Sequence, residues 1–388
     1  MKLLSVVLLL LVFTFSNYTA QKGYEGKVWE SEKEIWIDDS TGYEITRWTS
    51  ESENWHLYFN LESFIDDDNA IIFSKRSGKL NLFKMNLVDG SITQMTDETN
   101  LKQSVWHIPE EKTLWFFCGD TLKKLNTKSS KTSAVNVFDK TIPESFVIIN
   151  NGKWLVFSAN KNPGFSQKHS TCPYTLFKMN LNENKIIQIS PDYGFLIEHV
   201  QTNPVDTNII SFCWQLQYRE GEPGIVGNTP IRMWWNNLDG SDGGPVRIQE
   251  FGLHRTHEFW FPDGKRMGYL ARYLFGPNKG KQFIGIAKIN DRENIMYPAN
   301  VSAAHSQVFK DGIHWVSDQF NGMKLVMFTL GQNKIDETKI LFRHGSLWNE
   351  QRSHPHPHFS SSGKYILFSK DKTGRAQVCS VKINLDKK

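Results

Sequence analysis

The chain has 388 residues, of which 39% are hydrophobic and 22% charged; this allows a large core and excludes a disordered polymer. A net charge of +4 is too small to point to nucleic acid and is compatible with an anionic ligand. Aromatic residues make up 13% of the chain, with 13 Trp and 26 Phe, and this enrichment favours strands over helices.

In chain order, the first element reads as an export signal. Lys2 supplies a positive start, residues 3–15 form an almost unbroken apolar run, and polar residues follow at Ser16, Asn17 and Thr19. The expected cleavage follows Ala20, which leaves residues 21–388 as one mature domain, periplasmic or secreted. No later apolar run reaches the roughly 18 residues of a membrane helix. Cys118, Cys172, Cys213 and Cys379 are widely spaced and form no metal-type pair. Export permits a disulfide among them, and buried free thiols fit equally well.

Residues 34–49 (EIWIDDSTGYEITRWT) read as two strands that precede the first full repeat. The repeat itself starts at Phe64, FIDDDNAIIFSKRSGKLNLFKMNLVDGSITQMT, and returns at Asn151 as NGKWLVFSAN followed by TLFKMNLNENKIIQIS. Weaker copies begin at Trp106, His199, Phe261, Phe309 and Phe359. That makes seven copies of roughly 40–60 residues, each alternating apolar and polar positions between Gly, Asn and Asp turns. One such unit cannot bury both of its faces, whereas a radial stack can. The fold class is therefore all-β, a seven-bladed β-propeller of four-stranded blades, with residues 34–49 lending a strand to the last blade to close the ring.

Three of the repeats carry histidine in register. His257, His305 and His356 each stand seven residues before the glycine of their turn, at Gly264, Gly312 and Gly363. Equivalent positions in a propeller are related by rotation about the axis, so the three imidazoles converge on one mouth of the channel if that position opens the innermost strand. His354 lies two residues before His356 and shares its face. His199 opens the fourth copy in a similar way, and His56 precedes the first. Two readings stay open from spacing: a divalent-metal site, and a set of hydrogen-bonded histidines in a polar channel.

At these residues the chain resembles the oligogalacturonate lyase family. The shared strings are RMWW at Arg232, THEFWFPDG at Thr256, AHSQVFKDG at Ala304 and QRSHPHP at Gln351. The resemblance implies a seven-bladed propeller that binds a divalent metal, manganese, and cleaves acidic, uronate-containing oligosaccharides by β-elimination to an unsaturated product. It implies that His305, Gln351, His354 and His356 are metal ligands, that His257 is the catalytic base and that Arg232 binds the substrate carboxylate. His199 is a further substrate-contact candidate. The chain departs from the family after Phe212-Cys213, where Trp214-Gln215-Leu216-Gln217 replaces a His-Glu-Gly string and residues 218–230 intervene before Arg232. Trp214 and Gln215 are accordingly expected to bind substrate and to shape which glycan is preferred. A non-catalytic propeller that binds glycan or protein partners is the alternative. The gating domain of a serine peptidase is disfavoured by the lack of a G-x-S-x-G string.

Overall fold

The computed structural model describes residues 23–138, 143, 145–161, 174–215, 231–247, 250–289, 294–320 and 322–385. The expected signal segment 1–20, Cys172, Leu216, Gln217 and the stretch 218–230 lie outside the described residues.

Seven separate antiparallel sheets follow one another along the chain. The second to sixth are four-stranded and take consecutive strands: 101–137, 146–188, 197–245, 253–298 and 306–343. The two sheets at the chain ends differ from the expected four strands. The first, built on Asn54–His56, Asn69–Ser74, Asn81–Asn86 and Ile92–Gln94, has six strands; Val28–Trp29 pairs outside Ile92–Gln94, and Phe64–Asp66 also pairs with Asn69–Ser74. The seventh, built on His358–Phe359, Tyr365–Lys370 and Gln377–Lys382, has five, because the N-terminal hairpin Glu34–Ile37 and Glu44–Arg47 adds both of its strands. Residues 34–49 thus close the ring, and polar side chains fasten the joint. Trp48 Nε1 donates to Ser380 Oγ at 3.0 Å, and Thr49 Oγ1 donates to Gln377 Oε1 at 2.6 Å.

The core is distributed in the same way. Seven clusters of buried apolar side chains form, one between each pair of neighbouring blades. Phe59, Phe259, Phe261, Trp315 and Phe328, for example, join the fifth and sixth blades. Each blade buries its alternating apolar positions against the next blade, so the interior strands need no covering helix. Every innermost strand therefore faces the axis, and residues at its start reach the channel mouth. Among the described residues no helix is long and apolar enough to cross a membrane.

Candidate metal centre and active site

A cavity of about 580 Å³ opens at one mouth of the channel. Its lining includes Tyr58, Glu198, His199, Gln215, Arg232, His254, His257, His305, Trp348, Gln351 and His354. The residues come from at least five blades, so the ring has to close before the site exists.

Backbone bulges deliver several of these histidines. In the inner strand Leu253–Trp260 the pairing shifts between Thr256 and Phe259, and in Ile197–Thr202 it shifts between Glu198 and Gln201. His257 and His199 sit inside these bulges with φ of 55° and 51°. His356 has φ 48° at the corresponding place in the seventh blade. Left-handed backbone is uncommon for residues other than glycine and concentrates at functional sites. Here it turns one residue per strand out of the alternation and into the channel.

One side of the cavity is a potential metal site. The nitrogens of His305, His354 and His356 lie within 4.8 Å of one another. The Gln351 side-chain amide, on the short 3-10 turn Gln351–Ser353, stands 3.2 Å from His356 Nε2. All four expected ligands are therefore brought together. His305 Nδ1 is held at 3.0 Å by Asp318 Oδ2, and the Asp318 carboxylate also accepts the backbone N–H groups of His305 (2.7 Å) and His356 (3.0 Å). A carboxylate on one ring nitrogen fixes the tautomer and presents the other nitrogen as a lone pair. Burial pushes the Asp318 carboxyl up to about 7 and pushes His305 down to about 3 and His354 down to about 4. These imidazoles are neutral, as ligation requires. His354 Nδ1 is buried without a hydrogen-bond partner. Three neutral rings, one of them with an orphaned nitrogen, and an amide fit a divalent cation. Trp348, held at φ 56°, stacks on His354 with ring centres 4.4 Å apart and forms the wall behind it.

His257 stands beside this group rather than within it. Its ring centre is 4.6 Å from that of His305, and its Nδ1 lies 2.9 Å from Thr256 Oγ1. Burial, with His305 and Arg232 adding to it, holds its pKa well below the ordinary histidine value. The ring is thus a neutral acceptor on the cavity wall.

The opposite side carries charge. Arg232 donates from Nε to Glu258 Oε2 at 2.8 Å and from Nη1 to Gln215 Oε1 at 2.7 Å. Glu258 is fully buried, and its other oxygen, Oε1, lies 2.9 Å from His199 Nδ1. Burial works to raise the Glu258 carboxyl, but Arg232 and His199 outweigh it and hold it far below the usual carboxylate range. His199, Cys213 and Glu258 also come close enough to hold a cation. The Arg232 guanidinium already provides the positive charge there.

The structure separates two other expectations. Gln215 joins the lining, whereas Trp214 turns away from it and stacks on Phe195 with ring centres 4.4 Å apart and planes at 12°. His56 is buried between Ser63 Oγ (3.3 Å) and the Pro355 carbonyl (3.0 Å), an internal hydrogen-bonding role. Cys118, Cys213 and Cys379 are free thiols. Sequence reasoning missed Asp318, His254 and Trp348 and gave Glu258 no role, although Glu258 lies in the THEFW string that was singled out. His254, pushed down to about 4 by burial, lies three residues before His257 on the same strand.

Fold and site together define a class: a seven-bladed propeller with a histidine-rich cavity, suited to metal binding, facing a buried arginine. The comparisons with known proteins agree. The family model described as oligogalacturonate lyase matches residues 165–385, more than half of the chain. The chain belongs to the oligogalacturonate lyase family. The oligogalacturonate lyase of Dickeya dadantii is 24% identical, in an alignment covering 89% of this chain and 95% of that protein. The oligogalacturonide lyase of Pectobacterium atrosepticum is 23% identical over the same shares. Among solved structures, an oligogalacturonate lyase in complex with manganese superposes with a TM-score of 0.81 at 22% identity, covering 93% of this chain and 99% of that one. The oligogalacturonate lyase of Vibrio parahaemolyticus gives 0.79 at 20% identity, covering 94% and 100%.

Proposed function

We propose that this protein is an exported, metal-dependent lyase that cleaves short pectin-derived oligogalacturonides by β-elimination. The observation that carries this reading is the single cavity in which a neutral histidine, a three-histidine cluster and a buried arginine face one another. Family membership supports the substrate class. Manganese is the ion named for the solved relative, and the apolar segment 3–15 supports export.

The reaction removes the proton at C5 of a uronate and expels the oxygen at C4. The C5 proton is weakly acidic because the neighbouring carboxylate is already negative, so positive charge on that carboxylate is the main requirement. When bound by His305, His354, His356 and Gln351, a divalent ion supplies Lewis-acid stabilisation of that charge. Arg232 binds and orients the carboxylate through the guanidinium edge that Glu258 leaves open. His257 accepts the C5 proton. Its depressed pKa keeps it ready as a base, and Thr256 fixes the ring. Gln215 caps Arg232 with a neutral oxygen and contacts the substrate, together with His199.

The decisive experiment incubates the metal-loaded protein with galacturonate oligomers and reads ultraviolet absorbance of the unsaturated product, before and after chelation. The expected result is product that disappears with chelator and returns with Mn²⁺. Absence of product from every uronate oligomer would leave a glycan-binding propeller without chemistry.

A further inference from the structure

The Glu258–His199 pair is more than a brace for Arg232. His199 sits in its own bulge and presents Nδ1 to a carboxylate that is fully buried, at 2.9 Å. A hydrogen bond of that kind fixes which nitrogen carries the proton and leaves the opposite nitrogen for another partner. The ring lines the cavity, so that partner is a bound ligand. The groups around it are Glu198 on its own strand, Arg232 in the same blade, Glu258 and His257 in the fifth blade, Tyr58 in the first and His305 in the sixth.

The chemistry calls for such a group. In the galacturonate chair both the C5 hydrogen and the C4 oxygen are axial, on opposite faces of the ring. One residue cannot take the first and protonate the second. His257 stands on the His305 side of the cavity, and His199 stands beside Glu258 and Arg232.

Resting on the lyase reading above, we propose that His199, oriented by Glu258, is the general acid that protonates the departing C4 oxygen. The C5–H pair becomes the C4=C5 double bond and the C4–O4 pair passes to oxygen. His257 receives the C5 proton, and His199, which in the reacting complex carries a second proton on Nε2 besides the one that Glu258 holds on Nδ1, delivers that second proton to O4 and ends as the neutral ring. The two histidines then exchange protons with water, and no redox equivalent is involved.

The test uses the metal-loaded enzyme and two substrates, a galacturonate dimer and a synthetic 4-O-(4-nitrophenyl) galacturonide whose phenolate leaves without protonation. His199→Gln should slow the dimer by about 100-fold or more and the aryl substrate by roughly tenfold or less, the usual weight of general acid catalysis. His257→Ala should slow both alike. On the wild type, a series of aryl leaving groups should show a weak dependence of rate on phenol acidity, a readout that needs no variant to fold. Equal loss on both substrates after His199→Gln, or a steep wild-type dependence, overturns the acid role. If the wild type turns over neither substrate, the lyase reading itself falls and this role falls with it.

Discussion

At the scale of single residues, His257 and Asp318 show how the proposed base differs from a group that orients a proposed ligand. Both touch His305, yet only the carboxylate orients a ring toward the three-nitrogen cluster. His257→Ala should cut turnover by about 100-fold or more, the usual cost of losing a general base, with metal content unchanged. Loss of the ion along with activity in that variant would make His257 a ligand. Asp318→Asn should weaken Mn²⁺ binding by about 10–100-fold, as expected when a carboxylate behind a ligand histidine is lost. A metal titration that gives wild-type affinity would refute that role. The convergence of His257, His305 and His356 was legible in the sequence because their distance to the turn glycine repeats from blade to blade, whereas the division into proposed ligands and proposed base came from the family resemblance. Asp318 was not legible. It ends the strand His314–Asp318, while the proposed ligands lie in the segments just before the innermost strands Ser306–Val308 and His358–Phe359, so only the folded sheet brings them together. Trp214 lies outside the lining for a related reason: alternation along Ile209–Trp214 puts its indole against Phe195, and of the two residues only Gln215 lines the cavity.

At the scale of elements, the blades were legible and their irregularities were not. Alternating apolar positions and glycine turns announce strands, but nothing in the local pattern marks His199 and His257 as bulged, because the left-handed residue is histidine and not glycine. The extra strands of the end blades were only partly legible: Val28–Trp29 is too short to carry a period, and residues 34–49 were expected to lend one strand to the last blade but lend two. Packing inside a blade leaves a sharper mark. Gly285, in the third strand of the fifth blade, lies against the fully buried Tyr269, and a Cβ there would fall within the phenol ring. Backbone on one side and the neighbouring blade on the other leave the ring little room. Gly285→Ala should therefore destabilise the protein by about 1–3 kcal/mol, the usual cost of overpacking a filled core. Urea unfolding measures it, and an unchanged midpoint would show that Tyr269 moves freely.

At the scale of the whole molecule, ring closure gathers histidines from several blades around one axis, and the fold must keep them neutral. His56 and His344, neither of them a proposed ligand, are pushed by burial from 6.5 to about 3 and about 4. An unfolded chain protonates such histidines near their ordinary value, whereas the folded chain protonates them only at the lower one. Their contribution to stability is thus complete above about pH 6.5 and is lost progressively as pH falls toward 4 and 3. Glu258, held below the usual carboxylate range, acts in the same direction, because acid protonates the unfolded carboxyl first. Asp318, raised to about 7, opposes them, since its contribution diminishes as pH rises toward 7. Several groups against one leave a net loss on the acid side. The metal-free protein should therefore unfold at a lower urea concentration at pH 5 than at pH 7.5, and His56→Gln should make that dependence shallower. A urea midpoint that stays flat or rises between pH 7.5 and pH 5 would mean that these rings are solvated or already protonated in the folded ring. Bound metal should protect against acid only until its ligand histidines are protonated, so the holoprotein should show a sharper acid transition than the metal-free form.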